Sequence, residues 1–246
     1  MIKLYQYPPS WGMNVSPFTL KLETWLKLSQ LDYQVVPSRN PSSAPKGKLP
    51  YIEDDDGAKI ADSSLIIDHL KRTRQIDPDH TLTERQRAEA ISLQRLFEDH
   101  FYFIQSYSRW IDPVGWEAVR PAFFGFLPPG IRELGAGYLR RQVKRALHEQ
   151  GLGRHSQDEL YAMGRADLRA IAVVLGNRPY FFGDGPTTID AVAYGFLANL
   201  FFPPVETELK QIGLEYDNLR LYCERLGHGL GLIGDDGDNA SAQAAQ

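Results

Sequence analysis

The residues of this 246-residue chain best placed to do chemistry together lie at positions 48–64, KLPYIEDDDGAKIADSS. Leu49-Pro50-Tyr51-Ile52 reads as a short strand entered through a proline. Asp54-Asp55-Asp56-Gly57 reads as a tight turn, because Asp and Gly tolerate the positive φ such turns need, and 58–61 is the return strand. Asp62-Ser63-Ser64 then offers oxygens to cap the helix LIIDHLKRT. A proline at a strand entrance has two readings. It is an edge residue with no N–H to lose, or a cis-proline that turns the backbone of Leu49 outward as a recognition edge. A strand edge beside a helix N-terminus with free N–H groups is a socket for a small peptide. The helix end attracts a carboxylate, and Asp62 answers an ammonium.

The elements that must hold this socket follow from local pattern. Residues 2–7 alternate apolar and polar and predict a strand. Pro8-Pro9-Ser10-Trp11-Gly12 is a loop. Ser16-Pro17 opens a helix, with Ser at the cap and Pro at the first helical position. In that helix Phe18, Leu22, Trp25, Leu26 and Leu28 share one broad apolar face. Residues 32–37 form a second strand and 39–48 a loop, completing a β-α-β-β-α unit of roughly 75 residues.

Beyond Asp77-Pro78-Asp79 the pattern is helical. A long, aromatic-rich helix spans 83–110, opened by Thr83. Shorter pieces are divided by Pro113, Pro121 and Pro128-Pro129-Gly130. Helix 131–150 carries Arg140, Arg141, Lys144 and Arg145. Ser156 and Glu159 form a capping box that starts a helix to about 175. Thr187 and Asp190 start the apolar helix AVAYGFLANLF, and 203–214 and 218–226 close the region. The expected domains are 1–76, a linker 77–84, an all-helical domain 85–228, and a disordered tail 229–246.

Composition excludes several functions. A net charge of −4 and a pI of about 5.9 leave no electrostatic footprint for nucleic acid. The single cysteine, Cys223, allows no internal disulfide and no multi-cysteine zinc site, and six scattered histidines show no zinc spacing. Glu98-Asp99-His100 are adjacent on a helix and point apart, so they do not chelate jointly. No dinucleotide fingerprint, phosphate loop or nucleophile elbow is present. The start MIKLYQYPPS lacks a signal-peptide core, and no run of about 18 apolar residues exists, so a cytoplasmic protein without a membrane span is expected.

Leu49-Pro50 followed by Asp62-Ser63 resembles the glutathione-binding half-site of the glutathione S-transferase superfamily, and the first 76 residues resemble its thioredoxin-like domain. FFGDGPTTID resembles the family's Gly-x-x-Ser/Thr-x-x-Asp motif, which starts a core helix of the all-α second domain and serves folding. SPFTLKLETWLKL and GLGRHSQDELYAMGRADLRA resemble the metaxin-related branch, which includes failed-axon-connections proteins and bacterial transferase-like proteins. Relatives there often carry Cys where this chain has Thr19, so thiol redox chemistry is not implied.

The resemblance implies an α/β thioredoxin-like domain plus an all-α domain, and an enzyme that adds the glutathione thiolate to a small hydrophobic electrophile. Glutathione would be the co-substrate, with no metal and no nucleotide. Lys48, Leu49 and Pro50 would hold its cysteinyl backbone, and Asp62 and Ser63 its γ-glutamyl end. A free thiol has a pKa of about 8.5, and a hydroxyl donor with a helix N-terminus lowers it. Ser16, at a helix cap, is the first choice for that role and equally reads as a plain cap. Tyr7, and behind it Tyr5, is the alternative phenol. Trp11 is a candidate cover for the thiol, and Tyr102 and Trp110 are candidates for an apolar substrate wall, although an aromatic run at helical spacing is more often core. The family also implies a homodimer and a role in detoxification. The alternatives are a non-catalytic interaction protein on the same scaffold, or a glutathione-dependent dehalogenase or isomerase.

Overall fold

The computed structural model describes residues 1–233. Its elements run β1 (Ile2–Gln6), α1 (Pro17–Leu28), β2 (Tyr33–Pro37), β3 (Tyr51–Glu53), β4 (Lys59–Ala61), α2 (Ser63–Arg74) and α3 (Glu84–Arg95). A π-helical stretch, Leu96–Phe101, leads into α4 (Tyr102–Trp110). Then come α5 (Pro113–Phe124), α6 (Pro129–Gln150), α7 (Gln157–Leu175), α8 (Thr188–Phe201), α9 (Glu208–Leu214) and α10 (Asp217–Gly229). No helix among the described residues is long and apolar enough to cross a membrane.

By packing the chain forms two units. The first holds residues 1–90, 178–199 and the described residues from 221 onward; the second holds 91–177 and 200–220. In the first unit the strands form one sheet in the order β2-β1-β3-β4. β1 pairs β2 in parallel, and β3 antiparallel on its other side, with Leu4 opposite Ile52 and Tyr5 opposite Tyr51. This is the thioredoxin-like arrangement. The two-residue period of β1 sends Ile2 and Leu4 to one face. There they join Ile52, Leu22, Trp25, Leu26, Ile66, Ile67, Leu70 and Ala191 in one core cluster. On the other face Tyr5 stacks on Tyr51 with ring centroids 4.3 Å apart. The Asp54–Gly57 turn closes through Asp54 N–H to Ala58 O at 2.9 Å, with Gly57 at φ +82°.

Helix α1 differs from the one-sided pattern its apolar residues predict. Thr19, Lys21 and Thr24 are fully buried beside Leu22, Trp25 and Leu26, while Phe18 and Leu28 are half-buried. The cause is α8, which packs on the side left polar by the sequence. At Gly195 a Cβ would stand 2.5 Å from Pro17 O and 2.8 Å from Lys21 N, so the two backbones meet directly. The first residues of the tail expected from 229 onward are among those described. Lys27 Nζ donates to Leu230 O at 2.8 Å and to Gly231 O at 3.4 Å, seating these residues on the first unit. The rest of that expected tail, 234–246, lies outside the described residues.

The expected helix over 83–110 is present as one run from Glu84, but its middle is π rather than α. Phe97 and Phe101 are fully buried there. The capping box of α7 forms as read: Ser156 N–H reaches Glu159 Oε2 at 2.8 Å and Glu159 N–H reaches Ser156 Oγ at 3.3 Å. The closing segment from Pro203 is helical from Glu208 onward. Its earlier turn is held by Lys210, whose Nζ donates to Pro203 O at 3.0 Å and Glu206 Oε1 at 2.6 Å.

Candidate active site

The sheet register brings the candidate residues of the first unit to one end. Tyr51 pairs with Ala61 across β3 and β4, so Pro50 and Asp62 come next on facing chains. Tyr5 pairs with Tyr51, which carries the continuation of β1, Gln6 and Tyr7, alongside Pro50 and Leu49. The Leu49–Pro50 peptide bond is cis. Both residues are buried and precede the first ladder residue, whereas Lys48 is exposed.

Asp62 caps α2 from an exposed position. Its Oδ1 accepts from Ser64 N–H at 2.9 Å and Leu65 N–H at 3.3 Å. A helix leaves its first N–H groups without intrahelical acceptors; two are taken here, and that of buried Ser63 is the next in line. The Asp62 backbone sits at φ +83°, ψ 122°, a region L residues seldom occupy.

Ser16 caps α1, and its Oγ accepts from Thr19 N–H at 3.4 Å. A hydroxyl that accepts still has its own proton to donate, so capping and donation to a thiolate are compatible. Asn14, which the sequence reading missed, sets the loop before it. Its Oδ1 accepts from Ser16 N–H at 3.0 Å and its Nδ2 donates to Tyr7 O at 3.2 Å. Asn14 thus ties the end of β1 to the start of α1. Tyr7 is 37% exposed, and its carbonyl holds this loop by accepting from Asn14.

Trp11 and Gly12 form the tip of a small hairpin between Ser10 and Met13, with φ values of +54° and +74°. Positive φ at both central residues is the pattern of a tight two-residue turn, and a bulky residue adopts it rarely. Trp11 is half-buried.

Lys21 is the other residue missed. Its Nζ donates to Ser64 Oγ at 2.7 Å, linking α1 to the first turn of α2. A lysine between two apolar faces gives no sequence signal of burial. Below the loop, Gln6 Nε2 donates to Glu23 Oε1 at 3.2 Å. Burial lifts the Glu23 carboxyl above its ordinary pKa, and Gln6 and Lys27 offset this in part.

Tyr102 and Trp110 are not brought to this group by the first unit; both lie on α4 in the second unit. Tyr102 meets Phe103 edge-on with centroids 5.2 Å apart, and Trp110 meets Phe123 at 5.4 Å. Among the described residues no group of three or more His, Cys, Asp or Glu is placed to hold a metal ion.

The structure thus sets a cis-proline beside a capped helix start at one end of a thioredoxin-like sheet. Two family models match the chain: a glutathione S-transferase N-terminal domain over residues 17–115 and a glutathione S-transferase C-terminal domain over 164–226. The chain is 33% identical over 235 residues to an isoprene-epoxide–glutathione S-transferase of Rhodococcus sp. (strain AD45), covering 92% of this chain and 98% of that protein. It is 34% identical over 212 residues to Failed axon connections of Drosophila melanogaster, covering 82% of this chain and 50% of that protein. Glutathione transferase GSTFuA3 from Phanerochaete chrysosporium shares the fold, with a TM-score of 0.66 at 18% identity over 96% of this chain and 98% of that one. The chain belongs to the glutathione S-transferase family and is an enzyme of that class.

Proposed function

We propose that the chain conjugates glutathione to a small apolar epoxide or a similarly strained electrophile. The observation that carries this is the near full-length similarity to an isoprene-epoxide–glutathione S-transferase. Agreement of the site with the task supports it. The Leu49 backbone at the cis bond pairs with the cysteinyl segment, next to Lys48 and Pro50. The Ser63 N–H and hydroxyl receive the γ-glutamyl carboxylate at the helix N-terminus, and the second Asp62 oxygen receives its ammonium. The Ser16 hydroxyl donates a hydrogen bond to the thiolate, with Tyr7 the alternative donor, and the proton lost by the thiol goes to solvent. The thiolate forms a C–S bond at an epoxide carbon, the C–O bond breaks with its electron pair on oxygen, and that oxygen takes a proton from solvent. Trp11, Tyr102 and Trp110 are assigned to the apolar surroundings of the electrophile. A two-domain boundary near residues 77–84, a homodimer, a cytoplasmic location and a role in detoxification belong to the same reading and rest on the family.

The test follows loss of glutathione thiol in the presence of a small alkenyl epoxide, with calorimetric titration of glutathione into the same preparation. Saturable turnover that falls in Ser16→Ala supports the reading. Glutathione binding without turnover of any small electrophile selects the non-catalytic alternative. No binding at millimolar glutathione overturns both.

A further inference from the structure

Asn14 is buried, and the two ends of its amide reach the two residues that carry the candidate donors to sulfur. Its Oδ1 accepts from Ser16 N–H at 3.0 Å, and its Nδ2 donates to Tyr7 O at 3.2 Å. The first bond runs from a side chain to the N–H two residues on, which is an Asx turn. It has a consequence for Ser16. The N–H is engaged by Asn14 and the Oγ accepts from Thr19 N–H, so the hydroxyl proton is the donor Ser16 has left to offer an anion. Helix α8 holds the same turn from another side. Asn199 Nδ2 donates to Asn14 O at 3.2 Å. One helical turn earlier, a Cβ at Gly195 would stand 2.5 Å from Pro17 O, the residue that follows Ser16. The pair of bonds made by Asn14 requires an amide. An aspartate would accept from Ser16 N–H but has no donor for Tyr7 O, and its charge would oppose a thiolate nearby.

We propose that Asn14 is a positioning residue for the reaction: it acts through Ser16, fixing the backbone that carries the hydroxyl so that the hydroxyl meets the sulfur of glutathione. A hydrogen bond to the charged form of a group favours that form. Misplacing such a donor by about 1 Å can cost about a hundredfold in rate. The inference rests on the glutathione reading of the site and on Ser16 as the donor.

The thiolate of bound glutathione is titrated against pH by its ultraviolet absorbance, alongside turnover of a small alkenyl epoxide, calorimetric glutathione binding and thermal unfolding. The proteins are wild type, Asn14→Ala, Asn14→Ser, Ser16→Ala, and each Asn14 variant combined with Ser16→Ala. Wild type should hold the thiol below its free value of about 8.5. Asn14→Ala should raise the thiol pKa and lower kcat by about tenfold, with Kd for glutathione within about threefold of wild type. Asn14→Ser, whose hydroxyl makes the same turn more weakly, should fall between them. A residue that acts through Ser16 has nothing more to remove once the hydroxyl is gone. The combined variants should therefore match Ser16→Ala within about twofold in kcat. Losses that multiply in the combined variants overturn the inference and make Asn14 an independent structural residue. An unchanged thiol pKa and rate in Asn14→Ala overturn it too. Where Asn14→Ala is unfolded at the assay temperature, Asn14→Ser and its combination with Ser16→Ala decide by the same two criteria. A thiol pKa that Ser16→Ala leaves unchanged, or absence of glutathione binding by wild type, overturns instead the reading on which the inference rests.

Discussion

At the start of α8, Asp190 is fully buried and both of its oxygens are used within the protein. Oδ1 accepts from Phe181 N–H at 3.0 Å and Tyr222 hydroxyl at 3.1 Å; Oδ2 accepts from Thr187 N–H at 2.8 Å and Thr187 hydroxyl at 2.9 Å. Burial lifts its pKa, and these bonds pull against that. At the start of α2, Asp62 is exposed, sits at φ +83°, and uses one oxygen to cap two N–H groups. Both aspartates hold a helix start. The first is closed by its neighbours and has nothing left to offer a ligand. The second is itself exposed, keeps one oxygen outside the cap, and stands beside the buried Ser63. Helix starts with the same residue chemistry thus divide into closed and open ones according to what the rest of the fold places over them.

The largest effect should come from the closed start. Asp190→Ala leaves Phe181 N–H, Thr187 N–H and the Thr187 hydroxyl without the carboxylate, while the Tyr222 hydroxyl keeps the Asp190 backbone carbonyl, and should cost about 4 kcal/mol of stability, read as a lower urea midpoint. A loss below about 1 kcal/mol would break the contrast between the two sites.

Ser16 lies on the open side; it caps α1 and is proposed to serve the thiolate as well, and a pair of variants separates the two duties. Ser16→Ala removes cap and hydroxyl together and should lower turnover by about a hundredfold, the scale of a lost donor to a developing or held anion. Ser16→Asn keeps a good helix cap. It should therefore recover the melting temperature but not the rate; recovery of both would reduce Ser16 to a cap.

Asp62→Ala should weaken glutathione binding by about tenfold in calorimetry while costing only about 1 kcal/mol of stability. The reverse pattern, intact binding with a large stability loss, would place Asp62 with Asp190.

The smallest effect concerns acid. Burial of Asp54 by itself lifts its pKa, but bonds from His69 at 2.7 Å, the Asp55 N–H and Arg74 outweigh it and hold the carboxyl below its ordinary value of 3.8. The unfolded chain then takes up the proton first as pH falls. The stability this group contributes is complete above the unfolded value and is lost as pH drops through the folded one. Asp54→Asn should flatten the pH–stability profile below about pH 4.

Much of the fold was legible because helix and turn signals act over three or four residues. Ser16-Pro17, the Ser156–Glu159 box and the Asp54–Gly57 turn each satisfy their own backbone locally, and each formed where the pattern placed it. The pairing of Leu49-Pro50 with Asp62-Ser63 was legible for a similar reason, since a short hairpin joins them. The π stretch at Leu96–Phe101 was not, because LFEDHF has no local feature that selects an i→i+5 bond over i→i+4. Burial of Lys21 was invisible because its partner Ser64 is 43 positions away and the covering residue, Gly195, lies on α8. The difference between Asp62 and Asp190 was invisible likewise, since Tyr222 reaches Asp190 from 32 residues on. The amino-acid order alone specifies where elements begin and end, because backbone groups there are satisfied by near neighbours. Which of those beginnings stays open to a ligand, and which polar side chain is carried into the interior, depends on distant segments excluding water, and that is settled only when they pack.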